Sequence, residues 1–232
     1  MSERGLLVVG ELVPGTDWIR RDPSAWWAPQ MRGTRKRAPV TDLLVGHWTA
    51  GYPRTTDAGP KVVRSMRARE RDGRPLNVGI HFVIGWDGQV WQTADPGRVA
   101  TVHVGRGEIN ARSIGVECCW PGTVRQARRL GVEGPGERAR LPAGPVDVLL
   151  PSADLIGAWC RLADTLAGLD GRGGVRIPRQ VPEPLTGRLS VAQSRRWQGA
   201  LEHLSVPGTT KIDAAGLLLG ALLDAGWEAV RP

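Results

Sequence analysis

The alternation of strand-like apolar runs with amphipathic stretches constrains the fold more than any other feature of this chain. Leu43-Leu44-Val45-Gly46-His47-Trp48 is a short apolar run suited to a buried strand. Val78 to Ile84 and Gln89 to Thr93 flank Trp86-Asp87-Gly88, and Asp-Gly between β-prone runs marks a hairpin. Ser113 to Trp120 reads as another buried strand. Between these runs, Lys61 to Arg71 sets Val62, Val63 and Met66 on one side among arginines, which predicts a helix that Asp72-Gly73-Arg74-Pro75 stops. Ser152 can cap a helix over Ala153 to about Leu166, with Leu155, Ile156, Trp159 and Leu162 as its stripe. Two more helices are expected over Val191 to about Leu204 and Ala214 to about Ala225. Strands and helices mixed in this way argue for a single α/β domain.

The two ends of that pattern differ in character. Residues 1–40 show no clear period and carry seven Arg or Lys against four acidic residues, with Trp18, Trp26 and Trp27 interspersed. They read as a basic N-terminal arm packed by its tryptophans on a domain over 41–232. Residues 121–147 are rich in Gly, Pro and Arg and read as a surface insertion, and 168–187 as a second one.

Net charge is +8, and all but Lys36, Lys61 and Lys211 of the 31 basic residues are arginine. This balance favours an anionic partner such as a cell-wall polymer, a membrane surface or nucleic acid. No helix-turn-helix, zinc-finger or RNA-binding motif accompanies the charge, so nucleic acid is not expected. No apolar run is long enough to span a membrane. The N-terminal run Leu6-Leu7-Val8-Val9 is too short for a secretory core, so synthesis in the cytoplasm is expected. Cys118, Cys119 and Cys160 make no disulfide framework. A monomer is expected.

Four histidines, His47, His81, His103 and His203, are the residues best able to carry chemistry. The local metal spellings His-Glu-x-x-His and Cys-x-x-Cys are absent, so a zinc site would have to assemble from distant segments. His203 and Asp213, ten residues apart across Pro207-Gly208, could supply two ligands, and His47 a third.

Taken in order, these segments resemble the zinc-dependent N-acetylmuramoyl-L-alanine amidases, a family that includes phage lysozyme-type amidases, peptidoglycan recognition proteins and anhydro-muropeptide amidases. His47-Trp48-Thr49-Ala50-Gly51 is similar to the family's His-Thr-Ala-Gly segment. Asn77 to Ile84 with Asp87-Gly88 resembles the next strand pair, and Val102-His103-Val104-Gly105 the Trp-His-Ala-Gly segment. Asn110-Ala111-Arg112-Ser113-Ile114-Gly115-Val116-Glu117 resembles Asn-x-x-Ser-Ile-Gly-Ile-Glu, and His203, Pro207-Gly208, Lys211 and Asp213 keep the spacing of the last motif. The chain departs at Glu202, where Gly is usual, and at Ile80, where some members carry a catalytic Tyr. Members lacking that Tyr typically have the strand glutamate, here Glu117.

The resemblance implies a central mixed β-sheet flanked by helices, with Zn2+ held by His47, His203 and Asp213. It implies Glu117 as the proton-transferring base and Lys211 beside the oxyanion, with His81 structural and His103 on the cleft wall touching substrate. The implied reaction is hydrolysis of the bond between N-acetylmuramic acid and L-alanine in peptidoglycan. A phage-type endolysin acting on the wall after release fits the basic charge. A cytosolic muropeptide-recycling amidase and a non-catalytic peptidoglycan-binding protein are the alternatives.

Overall fold

Parallel pairing of Leu43–Trp48 with Ser113–Cys118 is the longest ladder of a seven-stranded mixed sheet. The computed structural model describes residues 3–21, 34–35, 37–51, 60–62, 64–65, 70–71, 74–75, 79–141, 144–208 and 211–232. In chain order the sheet strands are β1 (Glu3–Arg4), β2 (Ile19–Arg21), β3 (Leu43–Trp48), β4 (Phe82–Ile84), β5 (Val90–Gln92), β6 (Ser113–Cys118) and β7 (Gly199–Glu202). Their spatial order is β1-β2-β5-β4-β6-β3-β7. β4 and β5 form the expected antiparallel hairpin around Asp87-Gly88, while β4, β6, β3 and β7 run parallel.

Side chains alternate across a strand, so each central strand feeds two layers. On one face Leu44, Ile114, Val116 and Cys118 join Phe82 and Ile84 in the main core. Two helices cover that face, α3 (Ala153–Ala167) and α5 (Leu217–Asp224). Leu155, Trp159, Leu162, Leu218 and Leu222 are among the fully buried side chains they contribute, each contributing about 1.5–3 kcal/mol by leaving water. Ser152 caps α3 as its sequence suggests, its side chain accepting from Leu155 N–H. Trp159 Nε1–H donates to Leu218 O at 2.9 Å and ties the two helices together. The opposite face carries Leu43, Val45, Val104, Ile109 and Leu201, beneath the short helices α1 (Gly107–Ala111) and α4 (Val191–Arg196). That face also carries the site.

Three expectations need correction. Residues 3–21 are not an irregular arm: β2 pairs parallel with β5, and Leu6–Val8 with Glu11–Val13 forms a hairpin. The Asp95 carboxylate accepts from Val9 N–H and Gly10 N–H at that hairpin's turn. Trp18 does pack as expected, beneath the Arg161 guanidinium at 4.1 Å. Trp26 and Trp27 lie outside the described residues.

The helix expected over Val191 to Leu204 is six residues long and gives way to β7. A run of four fully buried residues has no periodicity that separates strand from helix. Gly199 breaks the helix, with φ +110 and a site where a Cβ would meet Gln180 O at 2.4 Å. The insertion at 121–147 is ordered as α2 (Val124–Arg129) and a hairpin of Gly136–Leu141 with Gly144–Leu149. The helix expected over Lys61 to Arg71 is seen at 60–62 and 64–65, and 70–71 pairs with 74–75 instead. Among the described residues no helix is long and apolar enough to cross a membrane.

Candidate metal and amide-hydrolysis site

Register is what brings the first two site residues together. In the β3–β6 ladder His47 lies directly opposite Glu117, so their side chains leave the same face on neighbouring strands. Two residues earlier on that face stands Gly115, and two before it Ser113. A cavity of about 520 Å³ opens over this face, lined by His47, His103, Glu117, His203, Lys211 and Asp213 among others. All six residues singled out from the sequence therefore reach one cavity.

Three of them converge on one point. His47 Nδ1 lies 3.1 Å from His203 Nδ1 and 3.7 Å from Asp213 Oδ2, and His203 Nδ1 lies 3.4 Å from that oxygen. Metal–ligand bonds near 2.0–2.1 Å at tetrahedral angles set donor atoms roughly 3.4 Å apart. The triangle fits a zinc-sized ion, and the three residues are buried together.

Protonation suits ligation as well. Burial pushes the His47 imidazole down to about 4, against the opposing hydrogen bond with Asp213, so it is neutral at pH 7. Burial also pushes the Asp213 carboxyl up, but the adjoining His203 and His47 rings outweigh it and hold Asp213 below the usual carboxylate range. Neutral imidazoles and a charged carboxylate are the forms that bind a metal.

His203 opens a single 3-10 turn, His203–Ser205, and Asp213 lies on the loop that follows, both ordered by a residue that stands out in the sequence only as a departure. Glu202, fully buried, accepts from Ala214 N–H at 3.0 Å, Gly216 N–H at 2.6 Å, Leu218 N–H at 3.0 Å and Leu219 N–H at 3.2 Å. Its carboxylate thus closes the N-terminus of α5 and fixes the peptide that follows Asp213. Leu204 N–H donates to Asp213 O at 2.8 Å, which ties the two ligand residues to each other. Burial pushes the Glu202 carboxyl up to about 7, against these four donors. An acidic residue inside an otherwise apolar run was the available signal. The 136–149 hairpin supports the same segment, with Ala139, Leu141 and Val148 packed on Leu204 and Ala215.

His81 is structural. It is fully buried, its Nε2–H donates to Val99 O at 3.0 Å, and its Nδ1 accepts from Gly115 N–H. Burial pushes it down to about 3. His103 has both ring nitrogens engaged, Nδ1 at 3.0 Å from His47 Nε2 and Nε2 at 2.8 Å from Ser113 Oγ. Ile80 is buried in an apolar cluster with Val62, Val83, Trp91 and Cys119. Cys119 is accordingly a small buried hydrophobe, and Cys118 faces the main core.

Residues 36–144 match the N-acetylmuramoyl-L-alanine amidase family. The match takes in His47, His103 and Glu117 and ends before His203. Two solved structures show the same fold at low identity, and a third aligns less closely. Drosophila peptidoglycan recognition protein PGRP-SA aligns at a TM-score of 0.53 with 15% identity, over 92% of this chain and 95% of that one. Human PGRP-IBETAC, solved with a glycosamyl muramyl pentapeptide, aligns at 0.52 with 15% identity over 93% and 99%. The Ph2119 endolysin from a Thermus scotoductus bacteriophage aligns at 0.47 with 19% identity over 88% and 97%. No curated protein matches the sequence.

Proposed function

We propose that the protein is a zinc-dependent N-acetylmuramoyl-L-alanine amidase that cuts the bond between N-acetylmuramic acid and the L-alanine of the stem peptide. The observation that carries this reading is the donor triangle of His47, His203 and Asp213 sharing one cavity with Glu117 and Lys211. A binding protein needs no converging ligand set. A zinc ion held by the three would supply Lewis acidity, lowering the pKa of water to about 7 and polarising the amide carbonyl.

The remaining work falls to the chain itself. Glu117, opposite His47, takes the proton of the attacking water and returns it to the departing alanine nitrogen. Lys211 sits two residues before Asp213 on the cavity wall, where its ammonium offsets the charge developing on the carbonyl oxygen. A compact ammonium fits close to that oxygen where a planar guanidinium needs a wider approach. This chain otherwise uses arginine almost throughout.

Intact wall is favoured over a small recycled muropeptide by the insertion beside the cleft. Gln126 of α2 donates from Nε2 to the O atom of Ala50, a cavity-lining residue, at 3.0 Å. Arg125, Arg128, Arg129, Arg138 and Arg140 on α2 and the following hairpin are all exposed. A cationic flank of this kind suits an anionic polymer and an endolysin-type role. The deciding experiment is digestion of a soluble muropeptide and of purified sacculi, with and without a chelator. Release of free L-alanine amino groups that chelation abolishes and added zinc restores supports the reading. Binding without any release assigns the protein to peptidoglycan recognition.

A further inference from the structure

Asn110, Ser113 and Gly115 take no part in the chemistry proposed above, yet all three serve one side chain. The Asn110 Oδ1 atom accepts from His103 N–H at 3.1 Å and from Val104 N–H at 3.0 Å, and its Nδ2 donates to Val104 O at 2.7 Å. Gly115 makes room for the imidazole, since a Cβ there would stand 2.6 Å from His103 Cγ. Ser113 Oγ meets His103 Nε2 at 2.8 Å, and the other ring nitrogen meets His47 Nε2 at 3.0 Å. Helix α1 and strand β6 thus form a cradle whose occupant touches a metal-ligand residue from behind.

A neutral imidazole has one donor and one acceptor nitrogen, so these contacts fix each other. With the His47 Nδ1 lone pair directed at the donor triangle, its proton sits on Nε2 and donates to His103 Nδ1. The His103 proton is then on Nε2 and donates to Ser113 Oγ. The opposite assignment would aim a proton from His47 Nδ1 into the triangle and leave no lone pair there. Outer hydrogen bonds of this kind set the tautomer and ring orientation of metal-binding histidines, usually through a carboxylate or a carbonyl. Here the partner is a second histidine.

We propose that His103 is a positioning residue, which with Ser113 holds His47 in the tautomer and orientation that ligate zinc, and that it is not a substrate contact. The proposal rests on the zinc reading above. The test is zinc affinity, measured by competition with a chromophoric chelator, for wild type, His103→Leu, His103→Gln and Ser113→Ala, with melting of each metal-free protein as a check on folding. His103→Leu should weaken zinc binding by about ten- to a hundredfold. His103→Gln, whose amide can accept from His47 and donate to Ser113, should recover most of that loss. Ser113→Ala should lose a few-fold in the same direction, and it carries the test if His103→Leu does not fold. At saturating zinc the KM of His103→Gln for a soluble muropeptide should stay within about twofold of wild type. Unchanged zinc affinity in both His103→Leu and Ser113→Ala overturns the proposal, as does a raised KM in His103→Gln with normal zinc affinity. Wild type that binds no zinc overturns the zinc reading itself, and this inference with it.

Discussion

The two halves of the site are built by different means. His47 and Glu117 are strand residues placed by the β3–β6 register, on two inner strands that each have a neighbour on both sides. His203 and Asp213 lie on a turn and a loop, held by one buried carboxylate and the underside of a surface hairpin. Catalysis needs both halves within a fraction of an ångström, yet only the first is fixed by regular structure. The comparison teaches that the strand half should tolerate changes outside the sheet, while the loop half should fail through residues that never touch substrate.

Substitutions in the two halves should therefore separate rate from architecture. Glu117→Gln should keep zinc and fold while losing at least about a hundredfold in turnover, the scale of a general base. Steady-state kinetics with parallel metal analysis checks this, and near-normal turnover would assign the proton to another group. Glu202→Ala should act the other way. It leaves four buried N–H groups without their acceptor, at a cost of about 2–3 kcal/mol, or roughly 4–12 °C in Tm for a chain of this size. Calorimetry reads that loss, and metal analysis should show zinc lost more readily than in Glu117→Gln. Equal stability in both variants would show that the loop half does not depend on its clamp.

Acid sharpens the contrast from the strand side. His81 is held neutral, with its pKa pushed down by burial to about 3, against about 6.5 in an unfolded chain. Between those values the unfolded state binds the extra proton, so stability is full above about pH 6.5 and falls as pH drops. The slope is about 1.4 kcal/mol per pH unit for this group. A pH series of Tm values for wild type and His81→Asn should show a shallower acid limb in the variant. The smallest effect concerns the cationic insertion. Arg125→Ser with Arg129→Ser should lower activity on sacculi a few-fold at low salt and leave a soluble muropeptide unaffected, because attraction between exposed charges is screened over roughly 8 Å at physiological ionic strength. Equal loss on both substrates would remove the wall-binding role from these arginines.

Legibility in the sequence follows the same division. Strand residues were readable because alternation sets the face: Ser113, Gly115 and Glu117 fall on one side of β6 by spacing alone. The metal-ligand candidates were readable because few residue types can do that chemistry, and the order of the motifs resembles a known family, whose model matches the segment holding His47 but not that holding His203 and Asp213. Glu202 was visible only as an odd residue before His203, since its four partners are backbone groups 12 to 17 residues further on. Strand β7 was hidden because a short, fully buried segment looks the same in either secondary structure. The two-stranded start of the chain was hidden because its pairing partner, β5, lies about 70 residues away. Local propensity does not report such long-range pairing.

The central claim is that both halves meet at a single zinc ion. Metal analysis of purified protein, wild type beside the His47→Ala, His203→Ala double variant, tests it most directly. The account predicts one zinc per chain in wild type and none in the double variant, with the sheet intact by circular dichroism. Stoichiometric zinc surviving in a folded double variant, or a wild type that takes up none, would contradict it.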